Sequence, residues 1–252
     1  LEVLSSVDLI ACEDTRVTGK LLQILGISKN LVSIREHNEV SSSQEIVKKI
    51  LSGTKVAYMS DAGYPCISDP GAKLVKICLE NEINVTSISG PNAALNALVA
   101  SGLCEDHFYF HGFLSAKESE RVQELKNLVN RRETLIFYEA PHRISKTLES
   151  LYKIFGNRKA CLARELTKKH EEFIRMDLEE LTKLDPETLK GEMVIVVEGS
   201  SGEEAQAVSD KEIVKTINAL VDSGLSTKDA IKKVSEMTKV NKNHIYKIYH
   251  LN

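Results

Sequence analysis

What this 252-residue chain lacks sets the first limits on what it can do. No apolar run approaches the roughly 18–20 residues that a bilayer-crossing helix needs, so no membrane role is expected. No charged-then-apolar leader pattern opens the chain. No CxxC pair and no histidine-rich spacing occurs, so no zinc site is expected, and no other metal. The five cysteines (Cys12, Cys66, Cys78, Cys104 and Cys161) are scattered and odd in number. They read as reduced thiols, mostly in cores, of a cytoplasmic protein. Neither GxGxxG nor GxxxxGKS is present, so dinucleotide and P-loop sites lack their fingerprints. Positive charge is not in excess either: the formal net charge is −3, and any signal for nucleic acid must be local.

What is present is a 42% hydrophobic chain long enough for two cores. Over the first hundred residues, strand and helix patterns alternate. Residues 7–11, 31–35, 55–59 and 84–88 read as strands, and stretches around 21–25, 44–51, 74–79 and 92–100 as helices. That βαβα rhythm predicts a mostly parallel sheet with helices on both faces, over residues 1–111. From about residue 112 strands outnumber helices. Residues 134–138, 159–164, 173–176 and 193–197 predict a mixed sheet in a second α/β domain, 112–199. Residues 200–209 are small and polar and read as a linker. Residues 210–252 carry three helical patterns, with Ser226 and Asp229 as a capping-box-like start and Asn241 as a cap. Leu1 to Leu4 reads as the tail of a helix with no cap before it, so the natural N-terminus is expected upstream.

In a parallel sheet, ligands gather at the carboxyl ends of the strands. Three loops hold that position: Cys12 to Arg16, Ser60 to Gly71, and Ser89 to Ala93. In the long loop, Asp69 and Pro70 are accounted for as the start of the next helix. Asp61-Ala62-Gly63 is not. A further strand end carries Glu139, His142 and Arg143, equally readable as a helix start or as a site. Arg164-Glu165 with Lys168 and Lys169 reads, taken alone, as a solvated ion-pair set. His37-Asn38 follows the second strand, and a lone histidine is more often structural. In the tail, residues 226–250 hold six lysines (Lys228, Lys232, Lys233, Lys239, Lys242 and Lys247) against Asp229 and Glu236, a local excess of four positive charges. Such a tail suits RNA docking or, about as well, a solvated helical bundle.

Taken together and in order, these segments carry a resemblance. They are Glu13-Asp14-Thr15-Arg16, His37-Asn38, Ser60-Asp61-Ala62-Gly63 with Ser68-Asp69-Pro70-Gly71, Gly90-Pro91 with Ala93-Ala94, Phe137 to Arg143, Ala163 to Lys168, and Gly191-Glu192. The chain resembles the tetrapyrrole-methylase superfamily, and within it the ribosomal RNA small-subunit methyltransferase I family. The resemblance implies two α/β domains with a cleft between them, a helix-turn-helix-like tail, and S-adenosylmethionine as methyl donor. It also implies a homodimer acting on 16S rRNA of the small ribosomal subunit, at the ribose 2′-hydroxyl of a decoding-centre cytidine. Two departures stand out: the family's opening strand and Gly-Thr-Pro-Ile-Gly-Asn loop would lie before Leu1, and Ser89 replaces the first proline of Pro-Gly-Pro.

Carried over residue by residue, Asp61, Ala62, Gly63 and Pro65 would line one side of the donor site. Pro91, Asn92 and Ala93 would offer backbone groups, and Phe137 and Glu192 would approach from the second domain. Substrate contacts would fall to Glu13, Asp14, Arg16, His37, Asn38, Arg143, Glu165 and Lys168. A ribose hydroxyl is a weak nucleophile, so a general base is plausible. Glu139 is the first choice, supported by His142, ahead of Glu13, Asp14 and His37. Two other readings compete: a small-molecule methyltransferase acting on a precorrin-type macrocycle, and a non-catalytic RNA-binding or ribosome-assembly protein.

Overall fold

The computed structural model describes residues 1–104, 106–202, 210–238 and 242–251. Its N-terminal part runs α1 (Glu2–Ser6), β1 (Leu9–Cys12), α2 (Thr15–Ile24), β2 (Asn30–Ser33), α3 (Glu39–Leu51), β3 (Val56–Met59), α4 (Ala72–Glu80) and α5 (Ala93–Ser101). The second part follows as β4 (Phe108–Phe113), α6 (Glu118–Leu128), β5 (Thr134–Glu139), α7 (Ile144–Phe155), β6 (Lys159–Arg164), β7 (Glu172–Asp177), α8 (Leu178–Leu181) and β8 (Met193–Val197). The tail is α9 (Asp210–Asp222), α10 (Thr227–Thr238) and α11 (Lys242–Leu251).

The first sheet is parallel, in the order β2-β1-β3. All four residues of β1 are buried, as a central parallel strand covered on both faces must be. The second sheet is mixed, in the order β4-β5-β8-β6-β7, with β4 and β5 parallel and the remaining neighbours antiparallel. Its central strand β8, the apolar run Met193 to Val197, is buried throughout. On one face of this sheet α7 lays down Ile144, Leu148, Leu151 and Phe155, the i, i+4, i+7, i+11 stripe of an amphipathic helix. On the other face sits α5, through Ala94, Ala97 and Leu98 against Ile136, Cys161, Ala163, Val194 and Val196.

Two expectations change here. The segment 84–88 forms no strand: among the described residues it pairs with no neighbour, and Val85 and Ile88 are 41% and 64% exposed. An apolar extended segment becomes a strand only when another backbone takes up its N–H and C=O groups, and β3 does not. The domain boundary drawn at 111/112 falls inside β4, whose six residues all belong to the second sheet. Helix α5 packs on that sheet too, so the change of sheet precedes the change of rhythm seen in the sequence.

In the tail, Ile213, Ile217, Ala230, Ile231, Val234, Ile245 and Ile248 form a separate small core. The Asp229 amide donates to the Ser226 hydroxyl at 3.2 Å, the cap expected at the start of α10. Lys228, Lys232, Lys233, Lys242 and Lys247 are exposed. Lys239, the proposed cap Asn241 and linker residues 203–209 lie outside the described residues.

Candidate active site

The loops after β1 and β3, the turn before α5 and the inner edge of the second sheet converge on two adjoining cavities. The first, about 200 Å³, is the tighter and more apolar. Ala62, Gly63 and Tyr64 come from the loop after β3, and Asn92 and Ala93 from the start of α5. Tyr138 at the end of β5 and Glu192 to Val194 at the start of β8 close the far side, with Phe113, Glu165, Leu166 and Lys168. The Gly90 amide donates to the Tyr64 hydroxyl at 2.9 Å, which ties the β3 loop to the turn before α5. Asn92 caps α5 by accepting from the Leu95 amide at 2.9 Å, which fixes that turn. Tyr138 stands edge-on to Phe110 and Phe113, with ring centroids 5.0 and 5.6 Å apart. Burial pushes its hydroxyl up, outweighing the backbone hydrogen bond at Ala94.

The second cavity, about 750 Å³, is polar. It is lined by Glu13, Asp14, Arg16, Arg35, Glu36, His37, Glu39, Asp61 and Lys73 among others. Asp14 caps α2: its carboxylate accepts from the Arg16 amide at 2.8 Å and from the Arg16 guanidinium at 2.5 Å, with Arg35 at 3.8 Å. Those bonds, the Arg16 side chain first, hold the Asp14 carboxyl far below its ordinary value. The Asp14 amide in turn donates to Asp61 at 3.4 Å, linking the β1 and β3 loops.

Ser68 and Asp69 line both cavities. Asp69 is half-buried, and its carboxyl is pushed up to about 6. Burial is the main cause, then the charges of Glu13, Asp61 and Glu192, against a hydrogen bond with Ser60 that lowers it. The expected role for Asp69, capping the helix after Pro70, is not the one observed. The cap of α4 is Gly71, with φ at +122°, and no side chain caps from within the segment. Glu39 of α3 does that work across the fold, accepting from the Gly71 amide at 2.8 Å and the Lys73 amide at 3.0 Å. A β-carbon at Gly71 would run into the Tyr58 ring, so this close approach requires glycine. Asp69 is thereby freed, and no pattern in the sequence distinguishes a freed aspartate from a capping one.

Of the residues expected at the donor site, Ala62, Gly63, Asn92, Ala93 and Glu192 line the first cavity, Asp61 lines the second, and Pro65 and Pro91 line neither. Phe137 is turned the other way. Successive strand residues face opposite sides, so its ring is fully buried in the core against Phe155 and His111, and Tyr138 presents to the cavity instead. Of the residues expected at the substrate, Glu13, Asp14, Arg16 and His37 line the second cavity, and Glu165 and Lys168 the first, as an ion pair at 3.0 Å. Asn38 is engaged locally, accepting from the Arg35 amide at 2.7 Å. Arg143 lines neither cavity; it donates to the Leu114 carbonyl and lies 3.2 Å from Glu139. His142 is exposed and also lines neither.

Glu139 reaches the wall of the first cavity, but its carboxylate is fully engaged. One oxygen accepts from the Ala140 amide at 2.8 Å and meets Arg143; the other accepts from the Thr147 hydroxyl at 2.5 Å. A carboxylate so held is an anchor for the start of α7.

The first cavity fits a sulfonium nucleoside on its own chemistry. Ala62, Gly63 and Ala93 leave backbone accessible, Tyr138, Leu166, Met193 and Val194 offer apolar surface, and Asp69, Glu165 and Glu192 place negative charge around it. Among the described residues no cluster has metal-ligand geometry.

The fold and this cavity define a methyltransferase of the tetrapyrrole-methylase class: the family described as Tetrapyrrole (Corrin/Porphyrin) Methylases matches residues 1–182. Solved structures agree on the fold. The methyltransferase CobJ superposes with a TM-score of 0.59 over 79% of this chain and 86% of that one, at 17% identity. A diphthine synthase superposes at 0.58 over 78% and 82%, at 13% identity. At the sequence level the chain is 42% identical to the ribosomal RNA small subunit methyltransferase I of Bacillus subtilis (strain 168), over 100% of this chain and 88% of that protein. It is 43% identical to the protein of that name from Escherichia coli O157:H7, over 98% and 87%. The chain belongs to the ribosomal RNA small subunit methyltransferase I family of the tetrapyrrole methylases.

Proposed function

We propose that this protein is an S-adenosylmethionine-dependent methyltransferase that modifies 16S rRNA in the small ribosomal subunit, at the ribose 2′-hydroxyl of a decoding-centre cytidine. The observation that carries the reading is the pair of cavities sharing Ser68 and Asp69. One is small, apolar and ringed by carboxylates; the other is large, polar and rimmed by Arg16, Arg35 and Lys73. The relatives' name supplies the substrate class.

When bound, the cofactor supplies a methyl group on a positively charged sulfur. Glu192 would favour that charge, Ala62, Gly63, Asn92 and Ala93 would hold the donor, and Tyr138 replaces Phe137 in the expected set. The polar cavity takes the target nucleotide, turned out of its stack as chemistry on a nucleotide commonly requires. Arg16, Arg35 and His37 face it, and cationic side chains there suit phosphate. Alignment of hydroxyl and methyl is the main contribution, since positioning alone can lower a barrier by roughly 7–11 kcal/mol. Arg143 and Glu139 hold the strand end that carries Tyr138. The lysines of α10 and α11 add phosphate contacts outside the cleft. The homodimer and the cytoplasmic location implied by the family belong to the same reading.

Calorimetry with S-adenosylmethionine, followed by mapping of ribose methylation after incubation with small ribosomal subunits, tests the proposal. Cofactor binding with one new 2′-O-methyl cytidine is the expected result. Methylation of a tetrapyrrole instead, or RNA binding without cofactor binding, would overturn it.

A further inference from the structure

We propose that the Asp69 carboxylate is the general base of the reaction, taking the proton from the nucleophilic hydroxyl across the boundary between the two cavities. This rests on the methyltransferase reading above and deepens it. The argument is by position and then by availability. A base must reach the hydroxyl in one cavity while the methyl group waits in the other, and among the described residues only Ser68 and Asp69 line both.

The neighbouring carboxylates are committed. Glu139 is held by Ala140, Thr147 and Arg143, and Glu39 by the Gly71 and Lys73 amides. Asp14 is held by Arg16, and Glu165 by Lys168. Asp61 takes the Asp14 amide. Glu13 faces only the second cavity and Glu192 only the first. Asp69 has the Ser60 hydroxyl beside it and, among the described residues, no paired lysine or arginine.

In the step, the hydroxyl oxygen bonds to the methyl carbon as the carbon–sulfur bond breaks. Its proton passes to an Asp69 oxygen, and the sulfonium leaves as a neutral thioether. The protonated carboxyl then loses its proton to solvent through the polar cavity.

The electrostatic setting is consistent with that work. Glu13 after β1, Asp61 after β3 and Glu192 before β8 all press negative charge on Asp69, and burial adds to them, so its carboxyl is pushed up to about 6. A base raised toward the working pH accepts a proton more readily while remaining largely ionised. Tyr58, Tyr138 and Cys66 also lie within reach of its charge, and burial raises all three. Lys73, Arg16, Arg35 and Lys168 are each occupied by another carboxylate.

The test uses the full chain and its Asp69→Asn variant, with small ribosomal subunits as substrate and labelled S-adenosylmethionine. Cofactor affinity is read by calorimetry, RNA affinity by filter binding, and methyl transfer by single turnover from pH 5 to 9. The expected result is a rate lower by roughly 10²–10⁴-fold in the variant, with cofactor and RNA affinities changed by less than about fivefold. The wild-type kcat/KM should rise with pH to a plateau with a midpoint near 6, and the variant should lack that limb. A variant that transfers methyl within about fivefold of wild type, or that keeps the same acid limb, overturns the role of Asp69 and leaves the methyltransferase reading standing. Should the variant not fold, a flat wild-type profile below pH 7 is enough to overturn it. Wild-type protein that binds no cofactor overturns both.

Discussion

At the scale of single residues, the site turns on which carboxylates are spent and which are free. Glu39 is spent. Burial pushes its carboxyl up, but the amides of Gly71 and Lys73 and the Lys73 ammonium outweigh that and hold it below its ordinary 4.5. A depressed carboxylate adds stability above its unfolded value and loses it as pH falls through the folded one. Glu39→Gln should therefore cost about 1–3 kcal/mol at neutral pH, and thermal unfolding should show the gap narrowing below pH 4.5. Asp69 has the opposite sign. Its raised carboxyl contributes stability below the ordinary 3.8 that is lost as pH rises through about 6. The margin by which Asp69→Asn melts above wild type should thus widen from about pH 4 to about pH 6 and level off above that, and a constant gap from about pH 4 to 6 would contradict the assignment. Glu139, with its side chain wholly buried against Arg143, is an anchor. Glu139→Ala should cost about 1–3 kcal/mol, because it leaves the buried Thr147 hydroxyl without its acceptor. The acid limb of the wild-type rate profile should survive in it. The sequence shows Asp69 and Glu139 as acids near helix starts; that Glu39 meets the Gly71 and Lys73 amides, 32 and 34 positions away, is not contained in any local pattern.

At the scale of elements, seven of the eight strands coincide with expected apolar runs; β4 is not among them, and the apolar run 84–88 forms no strand. The burial of β1 and β8 on both faces follows from LIAC and MVIVV directly. Facing was harder to read. Phe137 and Tyr138 are adjacent aromatics on one strand, and only the packing of α7 on one side and α5 on the other decides which ring meets the cavity. The turn before β8 makes a matching point. Gly191 has φ at +82°, and a β-carbon there would collide with the Glu165 side chain. Gly191→Ala should displace Glu165 from the cavity wall and weaken S-adenosylmethionine binding by about tenfold, roughly 1.4 kcal/mol, measured by calorimetry. Unchanged affinity would remove Gly191 and Glu165 from the donor site.

At the scale of the molecule, charge is divided rather than uniform. The chain as a whole is at −3, yet the exposed lysines of α10 and α11 stand opposite a small apolar core of their own. Deleting residues 205–252 should leave cofactor affinity within about twofold. It should lower RNA affinity, with a shallower dependence on salt because fewer counterions are released. Equal RNA affinity and an equal salt slope would dismiss the tail. Net charge hid this arrangement, and the local lysine count exposed it.

By itself the amino-acid sequence determined the parallel first sheet, the mixed second sheet, the helical tail and the loops that matter. Periodicity, capping and turn chemistry act over a few residues and leave their mark in order along the chain. The tertiary structure alone decided that two cavities adjoin at Ser68 and Asp69, that Glu39 rather than Asp69 caps α4, and that α5 and β4 belong with the second sheet. Those outcomes depend on burial and charge between segments distant in the chain, and such energies exist only once the chain has closed on itself.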